Sequence, residues 1–307
     1  MKKALLFPGQ GSQKVGMGKE LYNTFPAARR VFDSADQILG YQLSAVCFNG
    51  PEDKLVQTDF TQPAIFVTSL AAWQVLQEQD GRFEYAAGHS LGEYSALVAV
   101  GALSFEDGLK AVQMRARFMQ EACEKNPGTM AAIIGVLPEE AEAICREAST
   151  AGVVVPANFN SPGQVAVSGE RPAVEQAVAL AKVRGKKGML LPVGGAFHSP
   201  LMEPGKKKLA EFMDSITFSA ARFPVIANVT AREASRPEEF RLLLKEQITS
   251  PVRWEASLFR LSELGVAEFV EVGPGKVLSG LVKRTLKGAA TLNFEVPADF
   301  AGRPAVA

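Results

Sequence analysis

The sequence predicts an α/β fold in which a large domain with a mainly parallel sheet carries an inserted ferredoxin-like subdomain. Short apolar runs typical of buried strands alternate with helical patterns over residues 3–103 and again after residue 194, and this alternation is typical of parallel sheets. Between these two stretches the order changes to βαββαβ, the order of the ferredoxin-like unit. At 307 residues the chain is long enough for both parts.

The first part of the chain begins with a strand, a turn and a helix. Residues 3–7 (KALLF) form a short apolar run, the turn PGQGSQ follows, and residues 26–39 have helical spacing. A second amphipathic helix is predicted over residues 64–79, and residues 85–103 run from a strand through a turn into an Ala-rich helix. The first strand and the strand at residue 85 therefore belong to one sheet.

The inserted subdomain is predicted over residues 126–193. Asn126, Pro127 and Gly128 precede it and Gly194 and Gly195 follow it, as at a boundary between domains. The patterns predict four strands and two helices, at 129–136, 153–159, 164–168 and 187–193 for the strands and at 138–149 and 172–184 for the helices. A cleft between the two units is a natural place for an active site.

The large domain is predicted to comprise residues 1–125 and 194–290, and residues 291–307 a frayed C-terminal tail. Its second part has strand and helix patterns, at 223–229 and 267–272 for the strands and at 203–214, 237–248 and 275–286 for the helices.

The composition narrows the class of protein. Lysine plus arginine (33) balance aspartate plus glutamate (33), so the total charge does not favour nucleic acid or an anionic membrane as a partner. No apolar stretch approaches the ~18 residues of a membrane span. Three widely spaced cysteines and two histidines disfavour both disulfides and a metal site. We expect a cytoplasmic protein.

The strongest local signal is Gly88-His89-Ser90-Leu91-Gly92, the GxSxG pattern of a nucleophile elbow. It follows a predicted strand and precedes a predicted helix, which is the context that the motif requires. Ser90 would then stand at a helix N-terminus, where backbone N–H groups stabilise a developing anion. The alternative is an ordinary N-cap serine between two turn glycines.

A serine nucleophile needs a base, and the chain has two histidines. Successive strand side chains point to opposite faces, so His89 is poorly placed beside Ser90. His198, in the loop that follows the subdomain, remains as the candidate base. No aspartate or glutamate stands out as a third member of a triad, and a backbone carbonyl could orient the imidazole equally well.

The segment Phe7-Pro8-Gly9-Gln10-Gly11-Ser12-Gln13 allows two functional interpretations and one structural one. A dinucleotide site is disfavoured, because Lys14 occupies the third glycine position and Asp33 falls inside a helical pattern. The loop could instead lend the amide of Gln10 to an oxyanion hole beside that of Leu91. It could also be only a tight turn.

Two arginines, Arg115 and Arg117, lie on the helix that follows the elbow helix. A guanidinium there could bind a carboxylate in two-point geometry, which lysine would not match. Most helical arginines are solvated, so the sequence leaves both roles open.

Together these motifs resemble one family, the malonyl-CoA:acyl carrier protein transacylases and the related acyltransferases of polyketide synthases. The resemblance spans nearly the whole chain and rests on seven segments in order: FPGQGSQ, GHSLGEYSAL, MRARFMQ, NFNSPGQ, AFHSPLM, QITSPVRW and EVGPGKVLSGL. It implies a hydrolase-like α/β domain with a ferredoxin-like insert, which agrees with the order of elements.

The resemblance also implies roles for individual residues. Ser90 is acylated, and His198 is the base, held by the main-chain carbonyl of Gln247. The amides of Gln10 and Leu91 form the oxyanion hole. Residues expected to contact the substrate are Arg115, which pairs with the malonyl carboxylate, Asn158, Met119 and Phe197, which crowds an α-methyl branch.

The implied activity is transfer of malonyl from malonyl-CoA to the phosphopantetheine thiol of an acyl carrier protein, for fatty acid or polyketide synthesis, with the thioester as substrate and no cofactor. A hydrolase with the same dyad is the alternative, and an idle docking subunit is another. We expect a monomer whose local basic surface receives the acidic carrier protein. Candidates for this surface are Lys186, Lys187, Lys276, Lys283 and Arg284.

Overall fold

The computed structural model describes residues 1–79 and 82–301. Its larger sheet has six strands in the order β10-β9-β1-β2-β7-β8. Their bounds are β1 Lys2–Phe7, β2 Tyr85–Gly88, β7 Val225–Ile226, β8 Glu233–Ala234, β9 Val266–Val272 and β10 Ala290–Phe294. All neighbours pair in parallel except β7 and β8, which are antiparallel. The predicted α/β class with a mainly parallel sheet is confirmed.

The smaller sheet has four antiparallel strands in the order β4-β5-β3-β6. They are β3 Thr129–Ile134, β4 Val154–Ser161, β5 Gln164–Gly169 and β6 Lys187–Leu190. This sheet and its two helices have their own apolar core, drawn from residues 131–181. The predicted βαββαβ unit is therefore present, and its exact limits as a domain stay a prediction.

Thirteen α-helices occur in the described residues. Those of the first half are α1 Lys19–Thr24, α2 Pro26–Leu39, α3 Leu43–Asn49, α4 Glu52–Leu55, α5 Thr58–Gln79, α6 Gly92–Ala99 and α7 Phe105–Lys125. Those of the second half are α8 Pro138–Ala148, α9 Arg171–Val183, α10 Glu203–Met213, α11 Pro237–Gln247, α12 Trp254–Glu263 and α13 Val277–Thr285. No described helix is both long and apolar enough to cross a membrane.

The prediction of an amphipathic helix at 64–79 is wrong in its pattern. The helix α5 starts earlier, at Thr58, and is buried on nearly every face. It packs against α2, α6 and α7 at once, so no side of it faces water along most of its length. A helix enclosed by other helices needs apolar residues all round, not an apolar stripe.

The prediction of a frayed tail from residue 291 is wrong for its first residues. Residues Ala290–Phe294 form β10, the edge strand of the larger sheet, in parallel register with β9. Phe294 is buried and packs against Phe300, with ring centroids 5.0 Å apart and the ring planes tilted by 58°. The strand was missed because TLNF is short and follows a polar turn. Residues 302–307 of the predicted tail lie outside the described residues.

The predicted strand 223–229 is also too long. Only Val225 and Ile226 are assigned to β7, because the chain leaves the sheet at Ala227 and turns back into β8. This early exit places Asn228 at the carboxyl edge of the sheet, beside the end of β2.

Candidate active site

Ser90 lies in a strained turn between β2 and α6. Its φ is 51°, a left-handed value that non-glycine residues rarely adopt. The flanking glycines are required by close backbone approach, since a Cβ on Gly88 would lie 1.9 Å from the backbone of Gly92, and one on Gly92 would lie 2.0 Å from the Phe7 oxygen. The geometry is that of a nucleophile elbow and not of an ordinary N-cap serine.

The candidate base contacts the nucleophile directly. The Nε2 of His198 lies 2.8 Å from the Oγ of Ser90. The Nδ1 of His198 faces two backbone carbonyls, those of Gln247 at 3.0 Å and Ser250 at 3.1 Å. Because carbonyl oxygens only accept hydrogen bonds, Nδ1 carries the proton and Nε2 is free to accept that of Ser90. Backbone carbonyls thus fill the orienting role that the sequence left open.

The imidazole of His198 is neutral in the free protein. Burial, and then the charge of Arg115, lowers the pKa of His198 to about 3. The other histidine is directed elsewhere: the Nε2 of His89 lies 2.8 Å from the Oδ1 of Asn160, and its ring packs on Trp254. His198 can therefore act as a base at neutral pH, while His89 makes a structural contact.

The two arginines of α7 have different environments. Arg115 is 1% exposed, and its Nη2 donates to the Oγ of Ser90 over 2.9 Å. Arg117 is exposed and pairs with Glu121 one turn away. The Nε of Arg115 is buried and makes no hydrogen bond within the described residues, and the guanidinium carbon lies 5.6 Å from the centroid of the Tyr94 ring.

Two glutamine side chains hold the guanidinium, and neither contact was predicted from the sequence. The Nη1 of Arg115 donates to the Oε1 of Gln62 over 2.6 Å, and its Nη2 donates to the Oε1 of Gln247 over 3.1 Å. The Nε2 of Gln62 donates in turn to the Sδ of the buried Met119 over 3.5 Å. Gln62 could have been noticed as a polar residue in an apolar helix.

Asn228 and Glu93 stabilise the elbow by hydrogen bonds, and neither residue was predicted from the sequence. Asn228 accepts from the amide of Ser90 over 2.7 Å and donates to the Gly88 carbonyl over 2.7 Å. Glu93 is buried, and its Oε2 accepts from the Asn228 amide over 3.0 Å and from the Nε2 of Gln247 over 2.9 Å. The position of Asn228 after an apolar strand was the available signal.

The glycine-rich loop after β1 lies against the elbow. The amide of His89 donates to the Phe7 carbonyl over 3.0 Å, and a Cβ on Gly9 would lie 2.4 Å from the His89 oxygen. Because Asn228 occupies the Ser90 amide, that amide cannot stabilise an oxyanion. The pair of amides from Gln10 and Leu91 remains the prediction for that role.

Two further residues predicted to contact the substrate are Asn158 and Phe197. Asn158 lies on β4 and forms a parallel bridge with Val252, where the Phe159 amide donates to the Val252 carbonyl over 2.9 Å. Val252 is two residues beyond Ser250, whose carbonyl faces His198. The Oδ1 of Asn158 is buried without a hydrogen-bond partner in the described residues. Phe197 is buried beside Gly195 and packs into the main core. Neither side chain contacts Ser90 through a hydrogen bond recorded for the described residues.

The five residues of the predicted basic surface differ in their contacts. Lys186 pairs with Glu140 over 3.0 Å and is partly neutralised, whereas Lys187, Lys276, Lys283 and Arg284 are exposed. No group of three or more His, Cys, Asp or Glu within residues 1–79 and 82–301 is arranged to hold a metal ion.

Known proteins resemble this chain over nearly its full length. The acyl transferase domain family matches residues 4–298. The malonyl CoA-acyl carrier protein transacylase of Bacillus subtilis is 46% identical over 298 residues, which cover 96% of this chain and 94% of the relative. The corresponding Escherichia coli K12 protein is 44% identical over 283 residues, covering 92% of each chain.

Solved structures agree. That of the Streptococcus pneumoniae enzyme superposes with a TM-score of 0.93 at 43% identity, covering 97% of both chains. A malonyl-transacylase in complex with a type II polyketide synthase acyl-carrier protein superposes with a TM-score of 0.95 at 39% identity, covering 98% of both chains. The match over residues 4–298 and the relatives at 44–46% identity show that the chain belongs to the acyl transferase domain family, among the malonyl CoA-acyl carrier protein transacylases.

Proposed function

We propose that this chain transfers a malonyl group from malonyl-CoA to the thiol of an acyl carrier protein through an acyl-enzyme on Ser90. The observation that carries the proposal is the 2.9 Å contact between the buried Arg115 guanidinium and the Ser90 hydroxyl. A guanidinium so close to the nucleophile favours an acyl group with a carboxylate a few bonds from its thioester carbonyl. Malonyl is such a group, and the Bacillus subtilis and Escherichia coli relatives are named as malonyl transacylases.

The first half-reaction acylates Ser90. His198 Nε2 accepts the hydroxyl proton as Ser90 Oγ bonds to the thioester carbonyl carbon, and the amides of Gln10 and Leu91 stabilise the oxyanion. The carbon–sulfur bond then breaks, and His198 returns the proton to the coenzyme A thiolate. In this step the Nη2 of Arg115 exchanges the Ser90 hydroxyl for the substrate's carboxylate.

The second half-reaction repeats these steps with a different thiol. The phosphopantetheine thiol gives its proton to His198 and attacks the acyl carbonyl, and Ser90 recovers the proton as its ester bond breaks. The thioester is a substrate, and the chemistry requires no cofactor. A hydrolase would use water here, so holding the malonyl group in place for a thiol is what separates transfer from hydrolysis.

The setting of the reaction follows from the same proposal. The chain acts as a cytoplasmic monomer in fatty acid or polyketide synthesis, with the carrier protein as its macromolecular partner. One relative is in complex with a type II polyketide synthase acyl-carrier protein, which supports the carrier protein as partner and polyketide synthesis as a pathway.

Intact-protein mass spectrometry tests the proposal. Wild-type protein mixed with malonyl-CoA gains one malonyl mass, which moves to added acyl carrier protein, whereas Ser90→Ala gains none. Acetyl-CoA and methylmalonyl-CoA are the comparison substrates, and each should acylate a smaller fraction of the protein. An adduct that decays in water without reaching the carrier protein would indicate the hydrolase, and no adduct from any thioester would exclude the covalent mechanism.

A further inference from the structure

Glu93 is a buried carboxyl group that the steps above do not use. It lies in the first turn of α6 and is 3% exposed. No lysine or arginine of residues 1–79 and 82–301 forms an ion pair with it, and its Oε2 accepts only from the Asn228 amide and the Nε2 of Gln247. A buried carboxylate without a direct cation is costly unless a nearby charge compensates it.

The compensating charge is Arg115, reached through one carboxamide. The Nε2 of Gln247 donates to the Oε2 of Glu93 and to the Ser90 carbonyl, over 2.9 and 3.1 Å. With its NH₂ group fixed by two acceptors, Gln247 must direct its Oε1 at the Nη2 of Arg115, 3.1 Å away. Glu93 therefore sets the orientation of the amide that holds the guanidinium.

The charge balance of this site changes when substrate binds. In the free protein one buried guanidinium faces one buried carboxylate across Gln247. A substrate carboxylate on Arg115 adds a second negative charge for the same guanidinium, and two buried carboxylates near one cation cannot both stay ionised without a penalty. The carboxylate that can take up a proton is Glu93, whose Oε1 accepts no hydrogen bond from residues 1–79 and 82–301.

We propose that Glu93 is a positioning residue and the resident counter-charge of Arg115, and that binding of a carboxylate-bearing acyl group is coupled to uptake of one proton from solvent by Glu93. The proposal rests on the proposed function, since it requires the substrate's carboxylate to bind Arg115. Glu93 then acts through Gln247 and does not itself contact the substrate.

The titration behaviour of the surrounding groups agrees with this assignment. Burial raises the pKa of Glu93 to about 7. The neighbouring groups do not change charge near that pH: His198 has its pKa lowered to about 3, burial lowers the pKa of His89, and burial raises that of Tyr94. Arg115 stays protonated. A proton taken up between pH 6 and 9 is therefore assigned to Glu93.

The affinity for the malonyl thioester depends on pH through Glu93. Glu93 in the free protein is protonated below its pKa of about 7 and ionised above it, and an added carboxylate raises its pKa further. Uptake is therefore small at pH 6, where both states are protonated, and reaches about half a proton or more at pH 8. The dissociation constant for the malonyl thioester rises by about three- to tenfold from pH 6 to pH 8.

Isothermal titration calorimetry in buffers of different ionisation enthalpy measures this uptake. The protein is Ser90→Ala, which binds without turnover, and acetyl-CoA is the matched ligand with the same phosphates and no carboxylate. We expect the protein to take up about half a proton or more when it binds malonyl-CoA at pH 8, beyond the uptake measured with acetyl-CoA. At pH 6 the difference between the two ligands should be small. The excess disappears in Ser90→Ala/Glu93→Gln and remains in Ser90→Ala/Glu93→Asp.

Glu271→Gln is the control variant. Glu271 is also fully buried, but it caps α13 through the amides of Leu278 and Ser279, so the excess uptake should persist when it is changed in the Ser90→Ala background. Tighter binding of malonyl-CoA than of acetyl-CoA without excess uptake, or excess uptake that survives Glu93→Gln, overturns the role of Glu93 alone. Equal binding of the two thioesters overturns the carboxylate site of Arg115 and the role of Glu93 with it.

Discussion

Arg115 is the residue whose removal best separates selectivity from catalysis. In Arg115→Ala we expect kcat/KM for malonyl-CoA to fall by about 10²-fold, because each hydrogen bond to a charged group contributes roughly 1.5–3 kcal/mol. Activity with acetyl-CoA should change far less, since acetyl has no carboxylate. Initial rates with both thioesters measure the ratio.

Arg117→Ala is the matched control, because Arg117 stands on the same helix but is exposed and pairs with Glu121. This variant should keep the wild-type preference. If Arg115→Ala still strongly prefers malonyl-CoA to acetyl-CoA, the guanidinium does not select the acyl group.

Gln247 shows how one residue can serve two parts of the site. Its backbone carbonyl orients His198, while its side chain joins Arg115 to Glu93. The carbonyl role was carried by the family resemblance, because a main-chain group leaves no trace in residue type. The side-chain role depends on contacts with residues 90, 93 and 115, which are distant from residue 247 in the sequence and meet it only in the folded chain.

At the level of elements, the elbow depends on how closely α6 approaches β1. A Cβ at Gly92 would lie 2.0 Å from the Phe7 carbonyl oxygen, and backbone atoms on both sides leave little room to move. We expect Gly92→Ala to lower the free energy of unfolding by about 1–3 kcal/mol or more and to lower the rate of Ser90 acylation.

Gly280→Ala is the control for helix propensity. This glycine lies inside α13, and its added Cβ would meet nothing closer than Arg284 at 3.9 Å. The change should raise stability slightly, by about 0.4–1 kcal/mol. Urea unfolding and acylation rates measure both variants, and a stable, active Gly92→Ala would show that the close approach is not required.

The elements also show what the sequence could predict. Strong local patterns located β1, β2, β9 and the whole βαββαβ insert, because their periodicity is imposed by burial on one face or both. The same approach missed β10, whose side chains are only partly buried apart from Phe294. It also mistook α5 for an amphipathic helix, because the number of neighbours around a helix is a tertiary property.

The residues of the candidate site also separate into those that a local sequence pattern predicts and those that depend on tertiary contacts. GxSxG and the second histidine are defined by residue type and order, so Ser90 and His198 could be named in advance, whereas the choice of Arg115 over Arg117 rested on the family resemblance. Gln62, Glu93, Asn228 and Ser250 could not be assigned roles in advance, because their hydrogen bonds join them to residues far away in the sequence. Their roles depend on geometry and not on a pattern.

At the level of the whole molecule, the two units meet at the segment that orients the base. Strand β4 of the smaller sheet bridges to Val252, two residues beyond the Ser250 carbonyl that His198 contacts. Helices α12 and α13 of the larger unit also pack on β4. A carrier protein bound across both units would therefore lie over the cleft that contains Ser90.

This arrangement gives the exposed basic residues a testable role. Lys276, Lys283 and Arg284 lie on or beside α13, and Lys187 lies on β6 of the smaller sheet. Reversal of all four charges to glutamate should raise KM for the acidic carrier protein by about tenfold or more and weaken its dependence on salt, because complementary charge mainly speeds association. Acylation of Ser90 at saturating malonyl-CoA should be unchanged.

The control variant reverses three basic residues on other helices to glutamate. They are Lys19, Arg29 and Arg30, which are exposed on α1 and α2. Steady-state transfer at several salt concentrations measures KM for the carrier protein, and mass spectrometry measures acylation separately. Because the larger unit holds the dyad while the proposed surface spans both units, a selective rise in KM locates the carrier protein over the cleft. An unchanged KM, or the same rise in the control, would place it elsewhere.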